Sequence, residues 1–140
     1  MGQQASDILS LSIVSAPGAV TQYRGVDFTG AQIAAAGARG MGIAKRSAAL
    51  GQSFDVAVIG TAICEAGAAI TVGAPLAFDN QGRVVPASAL AIAAGAVAMT
   101  SAAANGAADL VGSITPEYRA GEALEAATGA GVFIEVLLAR

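Results

Sequence analysis

The stretch best suited to chemistry is Asp79-Asn80-Gln81-Gly82, which lies between two short apolar runs and is followed by Arg83. An arginine behind such a loop could hold a phosphate or another anionic substrate. The same residues also suit a hairpin tip, because Asp and Asn tolerate tight turns and Gly accepts positive φ. The seven Lys and Arg residues are scattered along the chain, so Arg83 has no basic cluster to work with. We therefore expect a hairpin turn at residues 79–82.

A second candidate for phosphate binding is the glycine-rich segment at residues 37–47, GARGMGIAKRS. A phosphate-binding loop needs Gly-x4-Gly-Lys-Ser/Thr, because the lysine must directly follow the cradle to reach the phosphates. Gly37 and Gly42 have that spacing, but Ile43 stands in place of the lysine and Lys45 comes two residues later. The segment is better interpreted as a turn that leads into a strand.

Acid–base and metal chemistry lack their usual side chains. Histidine is absent, which removes His-containing catalytic triads and His-ligated metals, and the single Cys64 excludes an internal disulfide or a cysteine zinc cluster. The remaining candidates are carboxylates, most of them at turns or at outward-facing strand positions: Asp55, Glu65, Asp79, Asp109, Glu122 and Glu125. We expect no catalytic residues, no cofactor and no metal.

Charge and composition narrow the class of partner. The formal charge is −3, which does not favour nucleic acid, because phosphate backbones are bound by clustered Lys and Arg. Charged residues make up 12% of the chain and apolar residues 55%, much of the latter alanine. A surface this short-chained and uncharged suits a protein that is covered by neighbours. The alanine-rich residues 87–108 have the length of a membrane span but few strongly apolar side chains, so no membrane helix is expected.

Glycine punctuation predicts short strands and disfavours long helices. Eighteen glycines interrupt the chain, and each interior glycine costs a helix roughly 1 kcal/mol relative to alanine. The one helical candidate is 115–128, with Thr115 as cap and Pro116 at the first position, but Gly121 weakens it and a strand with a short turn of helix stays open. Strands are predicted at 7–18, 20–28, 40–46, 53–64 with a bend at Gly60, 69–78, 83–86, 109–114 and 131–139. The fold class is all-β: a small β-barrel or β-sandwich of short strands with at most one short helix.

The N-terminal segment stands apart from the glycine-rich body. Leu9, Leu11 and Ile13 alternate with Ser10 and Ser12, which predicts a half-buried strand that ends at Pro17-Gly18. Two interpretations stay open at this point: an extended arm at residues 1–18 that pairs with another chain, or an ordinary first strand of the same domain. In the first case residues 19–140 form a single compact β domain, and the arm's contact residues are Ile8, Leu9, Leu11, Ile13 and Val14.

The order of several phrases resembles a known family. GIAKRSAALGQSFDVAVIGTAICEAGAAITVGAPLAFDNQGRVVPA, then NGAADLVGSI, then GEALEAATGAGVFIEVLL, is similar to the capsid cement (decoration) proteins of tailed bacteriophages, of the DUF2190 type. The likeness spans roughly residues 20–140. The individual phrases consist of small, common residues, so it is their order that carries the resemblance.

The resemblance implies a structural virion protein, made in the bacterial host cytoplasm and placed on the outer surface of the mature capsid. Such proteins bind at three-fold or quasi-three-fold positions between major capsid proteins, and the resemblance implies a homotrimer with no nucleic acid or membrane partner. It supplies no catalytic residues. Other classes remain open: a small ligand-binding or enzymatic β-barrel with residues 78–83 as its loop, or another virion part such as a head-fibre base or tail-tube subunit.

Overall fold

A computed structural model describes residues 5–15, 17–87 and 117–138. Within these ranges there are eight strands and no helix. The strands are β1 (Asp7–Val14), β2 (Gly25–Val26), β3 (Gly42–Ala44), β4 (Ser53–Glu65), β5 (Pro75–Phe78), β6 (Val84–Pro86), β7 (Arg119–Ala123) and β8 (Phe133–Leu138). The all-β prediction is confirmed, as is the expectation of short strands between glycine-rich turns.

The strands form one antiparallel, nearly closed barrel-like sheet in the order β2-β3-β4-β8-β7-β5-β6, and β1 pairs with β4 outside this path. At thirteen residues, β4 is the longest strand and has three partners. Its first part, Ser53–Gly60, pairs with β1, and its second part, Thr61–Glu65, pairs with β8. One long strand therefore connects the N-terminal part of the sheet to the C-terminal part.

The alternation in β4 divides the interior into two apolar clusters. Phe54 and Val56 belong to the cluster that also contains Val20, Val26 and Met41. Ala57 belongs to the larger cluster with Ile43, Leu76, Phe78, Ile134 and Val136. Successive residues of a strand point to opposite faces, so the predicted alternation of apolar residues in β4 builds both clusters at once.

Some strands differ from the predicted bounds. The strand expected at 20–28 is reduced to Gly25–Val26, and the strand expected at 69–78 begins only at Pro75. Thr71–Gly73 precede it as an exposed turn, because the amide of Ala74 donates to the carbonyl of Thr71. The expectations for 88–108 and for the strand at 109–114 lie outside the described residues.

Of the two possibilities left open for 115–128, the helix does not form over the described part, where the chain forms β7. Gly121 explains the difference: a Cβ at this position would lie 2.0 Å from the carbonyl oxygen of Leu137 in β8. The register pairs Gly121 with Leu138 and Ala123 with Val136, so β7 lies directly beside β8 in the sheet. Cross-strand pairing and burial of Ala120 and Ala123 thus outweigh the helical preference of alanine and glutamate.

Strand β1 lies in the same sheet as the rest of the chain. It pairs with β4 from Asp7 to Val14, with a register shift around Leu9. It is far less buried than the half-buried strand that the sequence indicates: of its eight residues only Asp7 and Ile13 are partly covered. The domain boundary expected at residue 18 stays a prediction. No helix in the described part of the chain is long and apolar enough to span a bilayer.

Candidate interaction surface

The 79–82 turn connects β5 to β6 and satisfies its own polar groups. The Asp79 Oδ1 atom accepts hydrogen bonds from the amides of Gln81 and Arg83 at 2.8 and 2.9 Å. Its Oδ2 atom accepts from Arg83 Nε at 2.8 Å and lies 2.7 Å from Arg83 Nη2. Gly82 adopts a φ of 74°. Arg83, the residue best placed to bind an anion, is therefore held by the turn's own carboxylate.

The same turn is docked against β2 and the residues on either side of that strand. The amide of Gly25 donates to the carbonyl of Gly82 at 2.6 Å. The carbonyl of Gln81 accepts from Arg24 Nη1 and from Gln32 Nε2, each at 2.9 Å. Arg24 also forms an ion pair with Glu65 at 2.7 Å. These contacts use the polar atoms of Gln81 and Arg24 to hold the barrel together rather than to line a cavity.

The remaining candidate carboxylates among the described residues do not converge, and Asp109 lies outside those residues. Asp55 accepts from the hydroxyl of Ser12, Glu65 is paired with Arg24, and Glu125 accepts from the amide of Glu135 at 3.0 Å. Glu122 is an exposed residue of β7, and Glu125 lies beyond the end of that strand. In the described ranges no group of three His, Cys, Asp or Glu side chains could hold a metal ion.

Strand β1 carries an exposed apolar surface, here called the β1 surface and defined as Ile8–Val14. The exposed fractions are 82% for Ile8, 40% for Leu9, 40% for Leu11 and 52% for Val14. Ile13 alone packs against the cluster around Phe54. The structure thus places the five residues predicted for the arm on one strand, four of them exposed. The segment Ile8–Val14 contains no charged residue.

An ion pair anchors the beginning of β1. Lys45 Nζ lies 3.0 Å from Asp7 Oδ2 and 3.1 Å from Asp7 Oδ1. The hydrogen bond from Lys45 lowers the pKa of Asp7, and burial partly opposes this. Lys45, considered above for phosphate binding, is therefore engaged with β1.

A second exposed group was missed by the sequence analysis. Arg39 lies over the rings of Phe28 and Tyr118, with its Cζ atom 5.2 and 6.0 Å from the two centroids. Both rings are exposed, 58% for Phe28 and 44% for Tyr118. Arginine and tyrosine are enriched at the energetic centres of protein interfaces. No local spacing could reveal this group, because Tyr118 is far along the chain from Phe28 and Arg39.

The fold and these surfaces together define a structural module. Its turn is internally satisfied, the acids of the described residues are dispersed, and four of its exposed apolar residues lie together on β1. Such a surface is typical of a protein that binds other proteins.

Comparison with known proteins identifies the family. The chain matches the family model for phage cement protein over residues 4–138 and therefore belongs to that family. The solved crystal structure of the head fiber gp8.5 N base of bacteriophage phi29 shares the fold, with a TM-score of 0.61 and 18% sequence identity. The alignment covers 94% of this chain and 95% of that one. No curated protein sequence matches significantly. The protein is a structural component of a phage virion.

Proposed function

We propose that the protein cements the mature phage capsid: it binds the outer surface at three-fold or quasi-three-fold sites between major capsid proteins and stabilises that lattice. The observation that carries this proposal is the family match, which extends over residues 4–138. In this proposal the protein acts as a homotrimer, has no catalytic role and is made in the host cytoplasm before it joins the virion.

The composition and the surface support a role in which neighbours cover the molecule. Only 12% of residues are charged, and the β1 surface presents Ile8, Leu9, Leu11 and Val14 to solvent. Full burial of one such side chain contributes about 1.5–3 kcal/mol. We assign the main protein contact to this surface and a second contact to Phe28, Arg39 and Tyr118.

Stabilisation follows from mass action. A ligand that binds the assembled lattice and not the separated subunits stabilises the lattice by its binding free energy. Many equivalent sites on one shell multiply modest contacts. In this role the protein needs a rigid body and an apolar contact surface, and it needs no catalytic residues. The internally paired Asp79–Arg83 turn and the two packed clusters give it that body.

The experiment mixes purified protein with undecorated, expanded capsids of its own phage and images them by electron cryomicroscopy. We expect added density at three-fold positions and a higher disassembly temperature of the shells. Shells that stay bare, while a positive control decoration protein binds its own capsid, would refute the proposal. Bound density at other symmetry positions would refute the three-fold assignment.

Surface variants then locate the contact. Ile8→Lys places a charge on the β1 surface, and Val72→Lys places one on an exposed turn, where Val72 is 66% exposed. We expect Ile8→Lys to weaken decoration roughly ten- to a hundredfold, in line with the loss of one buried apolar side chain. Val72→Lys should bind as the wild type does. If both variants decorate capsids equally well, the β1 surface does not take part in the contact.

A second candidate function is a head-fibre base, favoured by the shared fold with the phi29 head fiber gp8.5 N base. Both candidates place the protein on the head, but they differ in shape. A cement protein forms compact density that contacts several capsid subunits, and a fibre base carries a projecting stalk. Imaging of intact virions distinguishes the two.

A further inference from the structure

The outer edge of β1 presents backbone groups that pair with no strand of the described residues. The amide of Lys45, directly after β3, donates to the carbonyl of Asp55 in β4. Successive residues of a strand direct their N–H and C=O groups to opposite edges, so Val56 directs its groups toward β1, where Leu11 is its register partner. The backbone N–H and C=O groups of Leu11 therefore face β4. Those of Ser10 and Ser12 face the outer edge of the sheet. No other strand in the described part of the chain pairs with that edge.

Among the described residues, the regular open part of this edge is Leu9–Ile13. A Cβ at Gly30 would lie 2.7 Å from the carbonyl oxygen of Val14, so the loop at Gly30 approaches the strand's end. Natural edge strands usually avoid pairing by being short, by carrying charges or proline, or by a β-bulge, and the register shift of β1 lies before Ser10. The open part of β1 has neither charge nor proline, and its exposed residues are apolar residues and serine.

The sequence of this edge is self-complementary. Residues 9–13 read Leu-Ser-Leu-Ser-Ile, which is apolar–Ser–Leu–Ser–apolar in both directions. When two identical strands pair antiparallel about a two-fold axis at Leu11, Leu9 faces Ile13 of the second copy and each Ser10 faces a Ser12. The outward groups of the serines then form the hydrogen-bonded pairs. The two Leu11 side chains meet at a non-hydrogen-bonded pair, where side chains are closest.

We propose that the β1 edge pairs antiparallel with the β1 edge of a second copy of this chain, in the register that places Leu11 opposite Leu11. The pairing extends the sheet across two molecules and covers Leu9 and Leu11. This pairing names the partner of the protein contact assigned to the β1 surface. Its place on a capsid rests on the proposed function. On an icosahedral shell, local two-fold axes lie between neighbouring three-fold sites, so this pairing would link adjacent cement units.

A cysteine on the axis tests the register. Opposite Cβ atoms at a non-hydrogen-bonded pair lie about 4.5–5.5 Å apart, close to the spacing of a disulfide. Under mild oxidation at low protein concentration, Leu11→Cys should give a covalent dimer within minutes, both in solution and on decorated shells. Val72→Cys is the matched control for chance collisions and should stay uncrosslinked. Native Cys64 is buried and does not interfere.

Paired charges provide the second test. Ser10→Glu with Ser12→Lys places opposite charges across both serine pairs, and Ser10→Lys with Ser12→Lys places like charges there. Both variants carry the same lysine beside Asp55, so they differ only at residue 10. Sedimentation should show association kept in the first variant and at least about tenfold weaker in the second.

The outcomes separate this inference from the proposed function. A Leu11→Cys protein that gives no dimer, or that crosslinks to a capsid subunit, overturns the pairing. Equal association of the two charge variants also overturns it, as would hydrogen exchange showing that another segment of the same chain protects the Ser10 and Ser12 amides in monomers. A dimer in solution from a protein that leaves capsids bare keeps the pairing and rejects the cement function.

Discussion

The Arg83 guanidinium is held by the carboxylate of Asp79, with Nη2 and Nε at 2.7 and 2.8 Å from the same Oδ2 atom. The other carboxylate oxygen caps the amides of Gln81 and Arg83. Asp79 therefore closes the turn from two directions and neutralises the cation that follows it. Arg83, which the sequence offers for anion binding, instead stabilises the turn between β5 and β6.

Replacement of Asp79 by alanine should lower stability and leave binding intact. Hydrogen bonds that involve a charged group contribute roughly 1.5–3 kcal/mol, and Asp79→Ala removes several from one turn. We expect the free energy of unfolding, measured by urea titration, to fall by about 1.5–3 kcal/mol in total. Capsid decoration below the unfolding transition should be unchanged.

The matched control for this turn is Asn80→Ala, which changes an exposed neighbour. It should alter stability by no more than about 0.5 kcal/mol. If Asp79→Asn keeps the stability but abolishes binding of a small ligand or an activity, the turn is a binding loop and the alternative of a ligand-binding barrel is correct.

Gly121 should tolerate no side chain. A Cβ there would meet the Leu137 carbonyl oxygen at 2.0 Å and the Leu137 carbonyl carbon at 2.9 Å, so β7 and β8 would have to separate. Overpacking in a core costs typically about 1–3 kcal/mol, and a backbone clash that breaks a ladder belongs at the upper end. Gly121→Ala should therefore lower the midpoint of thermal unfolding strongly. Gly129→Ala, with nothing within 4 Å of its new Cβ, should change it little.

Acid should weaken the attachment of β1 to the barrel. The Lys45 hydrogen bond lowers the pKa of Asp7 below its ordinary value of 3.8. A carboxyl with a depressed pKa in the folded state stabilises above its unfolded pKa, and this contribution is lost as the pH falls through the folded value. The stability difference between wild type and Asp7→Asn should therefore be present at about pH 6 and shrink below about pH 3.8. A difference that is constant with pH would contradict the pairing of Asp7 with Lys45.

The sequence predicts those parts of the fold that depend on local patterns. The alternation around Phe54 and Val56 predicts β4, and the Asp–Gly chemistry at 79–82 predicts a turn where the structure places one. The sequence leaves helix and strand open around Gly121, because the decisive interaction, close contact with Leu137, joins residues that are not neighbours in the chain. The propensity of Glu and Ala could not show it.

The sequence predicts only part of the candidate interaction surface, for the same reason. The apolar alternation at Leu9, Leu11 and Ile13 marks the β1 surface, but the pairing of β1 with β4 of its own chain depends on a register that no local pattern sets. The stacking of Arg39 between Phe28 and Tyr118 depends wholly on tertiary structure. Interfaces assembled from distant segments leave no motif behind.

The thiol of Cys64 should be inert in the native protein and reactive only after unfolding. Burial raises the pKa of Cys64 to about 12, and its Sγ donates to the Tyr23 carbonyl oxygen at 3.2 Å. Thiolate is the reactive form, so a native thiol with this pKa presents only about one part in ten thousand of thiolate at about pH 8. Ellman's reagent should modify the native protein at the rate at which the barrel opens, and should react at once in urea. The exposed thiol of Val72→Cys gives the rapid native reaction for comparison, and equally rapid modification of the wild type would show that the cluster around Cys64 is open to solvent.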